Sequence, residues 1–408
     1  MRRNLIIAAV ALLLIIGLGA AAHVYFSSGT RVAVAPNGGA GLPVAGQQSA
    51  GAGTAAGGGV VSGGTPVVVS ARLVKISAGP VVPGMTVIDR KAASASSSPS
   101  STSLGTREVA VSYIERQSGN VFLYLVGAKT LTRTSNRTLP GIQSALWLPD
   151  GSTAFVRYLS GDDASTINTY ALRANGSEGF FLPQDLADIA VSSTSVLILA
   201  SGVNGSTASL LRTDGTRATT VFSTPLSSLR VSFAGKTSYL AVTKPAAALS
   251  GSAFLVGATG RFSRLIGPLY GLAALPSRSG KWLLASHTVG SEMRTALVNT
   301  ASGETLPLPV KTIADKCAWT ADDSTVYCGV PTNPSAGYAY PDDWYQGVAH
   351  FSDRIWKIEV AGRYAQLVLD FPKETGVELD TESLAVNPLG TVLVFSNKND
   401  GSLWSYSL

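Results

Sequence analysis

Short apolar stretches alternate with tight polar turns along most of the chain, and the same pattern returns roughly every forty residues. The clearest copy covers residues 145–156, where two apolar strand patterns flank the turn Pro-Asp-Gly. Residues 383–395 repeat it near the C-terminus, with Pro-Leu-Gly in the turn. Two weaker strand patterns follow most copies, and four strands per unit are typical of a β-propeller. The pattern therefore predicts an all-β, seven-bladed β-propeller, with six or eight blades as alternatives.

The predicted blades follow one another along the chain, and only the last one lacks a strand. They cover residues 82–135, 142–182, 188–224, 228–268, 271–309, 313–371 and 383–408. An apolar strand pattern at 72–77 precedes the first blade and has no partner of its own. We expect it to close the ring as the outer strand of the last blade, because closure removes the free sheet edges. The predicted propeller domain is then 70–408.

The first part of the chain has a different pattern, which predicts a membrane anchor and a linker. Arg2 and Arg3 lie in a short charged segment, 1–4, that precedes an apolar run at 5–26. As a transmembrane helix this run spans about 33 Å, enough for the hydrocarbon core. The arginines keep the N-terminus in the cytoplasm, so a single span places the propeller on the extracytoplasmic side. Residues 27–66, rich in Gly and Ala, predict a flexible, disordered linker.

A cleaved signal peptide is the alternative for the same N-terminal run. Ala20 and Ala22 form the small-residue pattern that signal peptidases cut. The length of the run and the aromatic pair Tyr25 and Phe26 at its end favour a retained signal-anchor helix. Both alternatives place the repeats outside the cytoplasm.

The composition limits the classes of function that the chain can have. Charged residues make up 14% of the chain and the formal net charge is +6, with Lys and Arg scattered singly rather than in a stripe. A nucleic-acid partner is therefore not predicted. The sequence has neither a serine-hydrolase elbow nor a phosphate-binding glycine motif, and its three histidines, His23, His287 and His350, lie far apart along the chain. No catalytic residue, metal site or cofactor is predicted.

The two cysteines of the chain, Cys317 and Cys328, flank a predicted hairpin in blade six. If the turn is at 321–324, the two residues stand directly opposite each other on neighbouring strands. Opposed Cβ atoms lie roughly 4.5–5.5 Å apart, which is near the distance that a disulfide requires. The pattern predicts a disulfide, with two buried free thiols as the alternative.

A long insertion interrupts blade six at residues 330–353, and it is rich in aromatic and acidic side chains. Loops of this length within compact domains are uncommon and are often functional. Aromatic faces beside carboxylates suit sugars, cationic groups or the side chains of a partner protein. The alternative is a loop whose aromatic residues pack back on the neighbouring blade. The candidate binding residues are Tyr340, Asp342, Asp343, Trp344, Tyr345 and His350.

The strand–turn–strand units resemble the WD40-like (PD40-type) repeats of TolB-type propellers, whose turn has Pro-Asp-Gly before an apolar strand. Residues 148–155, Leu-Pro-Asp-Gly-Ser-Thr-Ala-Phe, match that pattern well, and residues 276–280 and 387–390 match it loosely. The Trp-Asp ends of true WD40 repeats are absent from the sequence. The resemblance implies a fold and not an activity.

A second resemblance covers nearly the whole chain. It is to a family of membrane-anchored, single-span propeller proteins from ultrasmall bacteria of candidate phyla, and it implies a bacterial cytoplasmic membrane and envelope but no activity. The segments that carry it are 72–77, 178–182, 316–319, 326–328, 340–347 and 351–357.

These patterns together predict a non-enzymatic function. The leading hypothesis is a membrane-anchored, extracytoplasmic propeller that serves as a binding or scaffold module for an envelope protein or a cell-wall glycan. One alternative is a hydrolase or lyase that acts on glycans with the carboxylates and the histidine of the blade-six insertion. The other alternative is a purely structural envelope protein.

Overall fold

The computed structural model of the chain describes residues 66–91, 107–137, 139 and 141–408. Within these residues the strands form seven antiparallel sheets; six are built from consecutive strands of the chain, and the seventh combines strands from both ends. The first strands of successive sheets lie beside one another and line cavities along a central axis. The predicted all-β fold with seven blades is thereby confirmed.

Each of the first three blades is a four-stranded antiparallel sheet whose strands follow the order of the chain. Blade one contains Thr86–Lys91, Arg107–Ile114, Val121–Leu125 and Thr130–Ser135. Blade two contains Ile142–Trp147, Thr153–Ser160, Thr166–Arg173 and Phe180–Phe181. Blade three contains Leu186–Val191, Ser195–Gly202, Gly205–Arg212 and Thr219–Thr224.

The next three blades have the same arrangement, and the helical segments of the described residues lie around blade six. Blade four contains Leu229–Phe233, Tyr239–Thr243, Ser250–Val256 and Phe262–Tyr270. Blade five contains Ala273–Pro276, Trp282–Val289, Glu292–Asn299 and Thr305–Pro307. Blade six contains Cys317–Trp319, Thr325–Pro331, Asp353–Glu359 and Tyr364–Asp370. The helical segments are the 3-10 turn Ala314–Lys316 and the short α-helices Asp342–Tyr345 and Phe371–Thr375.

Blade seven joins the two ends of the described propeller. It contains Thr381–Val386, Val392–Asn397 and Leu403–Ser407, followed in the sheet by Leu73–Lys75 and Val67–Val68. Leu73 is paired with Tyr406 in antiparallel register, and Lys75 is paired with Trp404. The segment before blade one thus adds the fourth and fifth strands to the last blade and closes the ring.

Both faces of each sheet are covered by neighbouring blades, which explains why consecutive strand residues are apolar. In blade five Leu283 and Leu284 are both fully buried although their side chains point to opposite faces. Leu283 packs in a cluster with Leu240 of blade four, whereas Leu284 packs with Ile313 and other residues of blade six. The core therefore consists of a series of interfaces between blades rather than one central cluster.

Acidic residues tie blade five to blade six and blade one to blade seven. Asp323, in the turn after the first strand of blade six, accepts hydrogen bonds from Ser277 Oγ at 2.8 Å and from the Arg278 N–H at 2.9 Å. Asp89 of blade one accepts one from Asn387 Nδ2 of blade seven at 2.7 Å. These charge-assisted hydrogen bonds fix the relative positions of blades whose strands are not paired with each other.

The two cysteines form the predicted disulfide. Cys317 and Cys328 are directly opposed in the ladder between the first two strands of blade six, with Cα atoms 4.1 Å apart. The bond closes the hairpin from which the insertion departs.

Among the residues that the structure describes, no helix is both long enough and apolar enough to cross a membrane. The predicted span at 5–26 lies outside these residues, as does the predicted linker at 27–66 except for its last residue. Both segments stay predictions.

Ring closure predicts a strong stability effect for the buried side chain of Leu73. Leu73 is 0% exposed, whereas Val68 on the added outer strand is 48% exposed. We expect Leu73→Ala to lower the free energy of unfolding by about 2–5 kcal/mol, because it leaves a cavity between the closing strand and its neighbours. The matched control Val68→Ala should change it by less than about 0.5 kcal/mol. Urea denaturation measures both, and equal midpoints for the two variants would contradict a closing role for Leu73.

Candidate functional site

The insertion of blade six runs over the end of the central channel where the first strands begin. It connects the second and third strands of the blade and carries the short helix Asp342–Tyr345. Here we call this end of the channel the mouth and define it by Arg230, Asp315, Tyr345, Glu382 and Lys398, which line one cavity of about 870 Å³.

The two adjacent carboxylates of the insertion hold backbone in place. Asp342 accepts a hydrogen bond from the Ala247 N–H at 3.0 Å and so ties the insertion to a loop of blade four. Asp343 accepts one from the Ala339 N–H at 2.7 Å, within the insertion itself. Each carboxylate therefore has a backbone partner that explains its position.

The aromatic residues of the insertion divide into a buried group and a surface group. Tyr340 and Trp344 are buried in the core shared by blades five and six, and both pack on Phe351, with ring centroids 5.1 and 6.2 Å away. Tyr345 is partly buried at the mouth, and His350 is exposed. Packing in the core thus explains the positions of Tyr340 and Trp344. Trp344 also lines the cavity at the mouth.

A fully buried lysine lies beneath the insertion. Lys316 ends the 3-10 turn that precedes blade six, and its side chain is 0% exposed. Its Nζ lies 2.6 Å from Asp380 Oδ1 and 2.8 Å from Asp353 Oδ2. It also donates to the carbonyl oxygen of Thr381 at 2.7 Å. We call Lys316, Asp353 and Asp380 the buried triad.

Asp380 connects the buried triad to the insertion. Its carboxylate accepts hydrogen bonds from Trp344 Nε1, 3.1 Å from each oxygen, and from the Phe351 N–H at 3.0 Å. The ammonium of Lys316 lies 4.6 Å from the centroid of the Trp344 ring, which adds a cation–π contact. The buried triad therefore fixes the position of the insertion over the mouth.

The buried triad carries more negative than positive charge if both carboxyl groups are ionised. Burial raises the pKa of Asp353, which Lys316 only partly offsets. Asp353 Oδ2 accepts from the backbone N–H and the hydroxyl of Thr381 at 2.7 and 2.8 Å. Its other oxygen, Oδ1, is buried without a hydrogen-bond partner among the described residues.

Blade four, the 3-10 turn before blade six and the insertion meet in an ion pair at the mouth. Arg230 Nη1 of blade four lies 2.7 Å from Asp315 Oδ2, and Tyr345 Oη donates to the same oxygen at 2.8 Å. Asp315 raises the pKa of Arg230, and burial raises the pKa of Tyr345 well above its usual range. The guanidinium therefore stays charged and the phenol stays a neutral donor.

A second pair of charged residues lies deeper along the channel wall. Asp188 of blade three accepts a hydrogen bond from the Val231 N–H at 2.7 Å, and burial raises the pKa of this carboxyl. Arg157 of blade two donates to the carbonyl oxygen of Leu186, and burial lowers the pKa of its guanidinium. Both line a cavity of about 500 Å³ that adjoins the mouth through Arg230 and Asp315.

The remaining groups of the mouth come from blade seven. Lys398 Nζ lies 4.5 Å from the centroid of the Trp344 ring. Burial raises the pKa of Glu382, which favours its neutral form near the mouth. Across the described ranges, no group of three or more His, Cys, Asp or Glu residues is placed to hold a metal ion.

Sequence reasoning found the insertion but missed the residues around which it is organised. Arg230, Asp188 and Glu382 each stand near the start of a first strand, and the first two lie between apolar neighbours. That position in a propeller repeat faces the channel, so a charge there was the available signal. The sequence signal for Lys316 was weaker, because it is a single lysine directly before the apolar start of blade six.

Comparisons with known proteins support the architecture. No protein-family model and no curated protein matches the chain. An oligogalacturonate lyase from Vibrio parahaemolyticus is 8% identical, with 82% of this chain and 93% of that chain covered at a TM-score of 0.52. The β-propeller domain of the trilobed protease from Pyrococcus furiosus is 9% identical, with 73% and 91% covered at a TM-score of 0.50.

TolB, whose repeats the sequence resembles, is also among the similar solved structures. The TolB of Acinetobacter baumannii is 11% identical, with 79% of each chain covered at a TM-score of 0.41. At such identities a likeness shows the fold alone. The resemblance to single-span propellers of ultrasmall bacteria stays a prediction.

Close packing around the buried triad predicts that Gly329 cannot be enlarged. A Cβ atom at Gly329 would lie 1.9 Å from Thr381 Oγ1 and 3.1 Å from Asp353 Oδ2. We expect Gly329→Ala to lower the free energy of unfolding by about 1–3 kcal/mol through overpacking. The matched control is Gly337→Ala in the insertion, where the nearest atom would be 3.8 Å away. Chemical denaturation compares them, and a Gly329 variant as stable as the control would refute the packing argument.

Proposed function

We propose that this chain is a binding propeller that holds its ligand at the mouth, anchored by residues 5–26 on the extracytoplasmic side of a bacterial cytoplasmic membrane. The ligand is an envelope protein or a cell-wall glycan. One observation carries the proposal: polar side chains from blades four, six and seven and from the insertion converge on a single cavity of about 870 Å³. Cavities of this size with a few convergent polar groups are the usual form of binding sites.

The site is rigid, which favours binding. The insertion is tied to blade four through Asp342 and to the buried triad through Trp344. Tyr345 is held by Asp315, which is itself paired with Arg230. A ligand would therefore meet side chains that are already in position, and little conformational entropy would be lost on binding.

The charge around the mouth indicates an acidic ligand. Three cations, Arg230, Lys244 and Lys398, line the cavity together with two carboxylates, Asp315 and Glu382. The raised pKa of Glu382 reduces the negative contribution further. Cell-wall glycans with their peptide stems, and acidic segments of envelope proteins, both present carboxylates beside hydroxyl or amide groups.

The disulfide supports an oxidising compartment. Cys317 and Cys328 are bonded, and structural disulfides persist mainly outside the reducing cytoplasm. This agrees with export by the apolar run at 5–26.

The glycan hydrolase or lyase alternative receives no support from the contacts of the insertion. Asp342 and Asp343 accept hydrogen bonds from backbone, and Asp353 is wholly buried beside Lys316. A pair of catalytic carboxyl groups would have to flank an open site. The purely structural alternative would fit a fully packed insertion, whereas Tyr345 lines the mouth and His350 is exposed.

Binding at the mouth predicts that Lys398 contributes to ligand affinity. We expect Lys398→Ala to weaken binding about tenfold, because an acidic ligand loses an interaction of about 1.4 kcal/mol. Two assays separate the ligand classes: sedimentation of the full chain with isolated cell-wall sacculi, and crosslinking in intact cells followed by mass spectrometry of the captured proteins.

The matched control for this test is Arg278→Ala. Arg278 is an exposed cation that lines a cavity at the opposite end of the channel. Its removal should leave both assays unchanged. If Arg278→Ala weakens binding and Lys398→Ala does not, the ligand site is at the other end and the proposal is wrong.

A further inference from the structure

The buried triad has the composition and the geometry of a reactive site, although its side chains are wholly buried. The amine of Lys316 lies 2.8 Å from one oxygen of Asp353 and 2.6 Å from one oxygen of Asp380, and all three side chains are 0% exposed. Aromatic rings surround the amine, with the centroids of Trp344 and Phe351 4.6 and 5.0 Å from Lys316 Nζ. Water is thus excluded from the place where the amine meets the two acids.

Ionised groups are unfavourable in such surroundings. An ammonium and a carboxylate in a dry, apolar pocket can lower their free energy by transferring the proton and becoming a neutral amine and a neutral acid. The second acid adds to this tendency, because one lysine cannot neutralise two carboxylates. The unpartnered Oδ1 of Asp353 and the raised pKa of that residue are consistent with a protonated Asp353.

We propose that Lys316 and Asp380 condense spontaneously to an intramolecular amide bond, with Asp353 as the acid that transfers the proton. The bond would form between Lys316 Nζ and the side-chain carbonyl carbon of Asp380. It is a covalent modification of this chain that is independent of ligand binding at the mouth.

The atoms and charges balance without any co-reactant. With Asp353 protonated, the ammonium of Lys316 passes one proton to the carboxylate of Asp380. The resulting neutral amine attacks the protonated carboxyl group of Asp380, and a carbon–nitrogen bond forms. Asp353 donates its proton to the leaving hydroxyl group and recovers one proton from the nitrogen. One water molecule leaves, a carbon–oxygen bond of Asp380 is broken, and Asp353 returns to its initial state.

Asp380 differs from Asp353 in the oxygen that is not in contact with Lys316. In Asp380 this oxygen, Oδ2, accepts hydrogen bonds from Trp344 Nε1 at 3.1 Å and from the Phe351 N–H at 3.0 Å, whereas in Asp353 it has no partner among the described residues. These donors would stabilise the negative oxygen of a tetrahedral intermediate, as an oxyanion hole does. The amine is also held in contact with it, which replaces a bimolecular encounter by an intramolecular one.

The bond would connect the start of blade six to the segment that enters blade seven, 64 residues further along the chain. It would lie directly beneath Trp344 and would fix the base of the insertion permanently. A propeller exposed outside the cell would then resist unfolding at the blade that carries its candidate site.

Mass spectrometry of the full chain, purified under reducing and denaturing conditions, tests the proposal. We expect an intact mass lower than that of the reduced sequence by one water molecule. After trypsin digestion, cleavage at Lys316 should be lost and a branched peptide should join residues 312–354 to residues 374–398. A bond to Asp353 would instead give a loop within residues 312–354, which would overturn the choice of Asp380.

Variants and an internal control make the result specific. Asp353→Asn should restore the full mass, because the acid that transfers the proton is removed, and Lys316→Arg should do the same. Lys75 and Asp400 are a partly exposed pair 3.4 Å apart and should show no crosslink in the same digest. The wild-type spectrum alone decides the matter if the variants do not fold. An unmodified intact mass for the folded wild-type chain would refute the proposal.

Discussion

The closed ring is the constraint on which the rest of the structure depends. Each sheet has apolar residues on both faces, as Leu283 and Leu284 show, so each needs a neighbour on either side. An open array would leave one apolar sheet face of each terminal blade in water. The pairing of Leu73 with Tyr406 joins the ends and makes every blade an interior blade. The channel and its mouth exist only because the ring is closed.

Blade six combines a disulfide and the buried triad with the long insertion that interrupts the repeat. Its hairpin is closed by a disulfide, and the insertion leaves from the strand that contains Cys328. The insertion is held from below by Lys316 and Asp380 and from the side by Asp342. A long loop would otherwise lose much conformational entropy on ordering. Here buried charges and aromatic packing compensate for that loss, and Tyr345 is left in a defined position at the mouth.

Several features of this site could be predicted from the sequence, and others could not. Cys317 and Cys328 were predictable because hairpin register is local. The insertion was predictable because it interrupts a regular spacing. The partners of Asp342 and Asp343 were not, because Ala247 belongs to another blade and Ala339 depends on how the loop folds. Trp344 was a candidate for surface binding, whereas most of its ring is buried over Lys316.

The sequence by itself determined the fold class and the place where the repeat is interrupted, because both follow from local alternation and turn chemistry. It favoured seven blades over six or eight, and the sheets of the structure settled that count. Only the tertiary structure decided which charges meet. Arg230, Asp315 and Tyr345 belong to three separate segments, and Asp380 lies 64 residues from Lys316. Ion pairs carry no periodic signal along a chain, since they depend on distances that ring closure sets. The candidate site therefore depends on ring closure, whereas the ring itself follows from the repeat in the sequence.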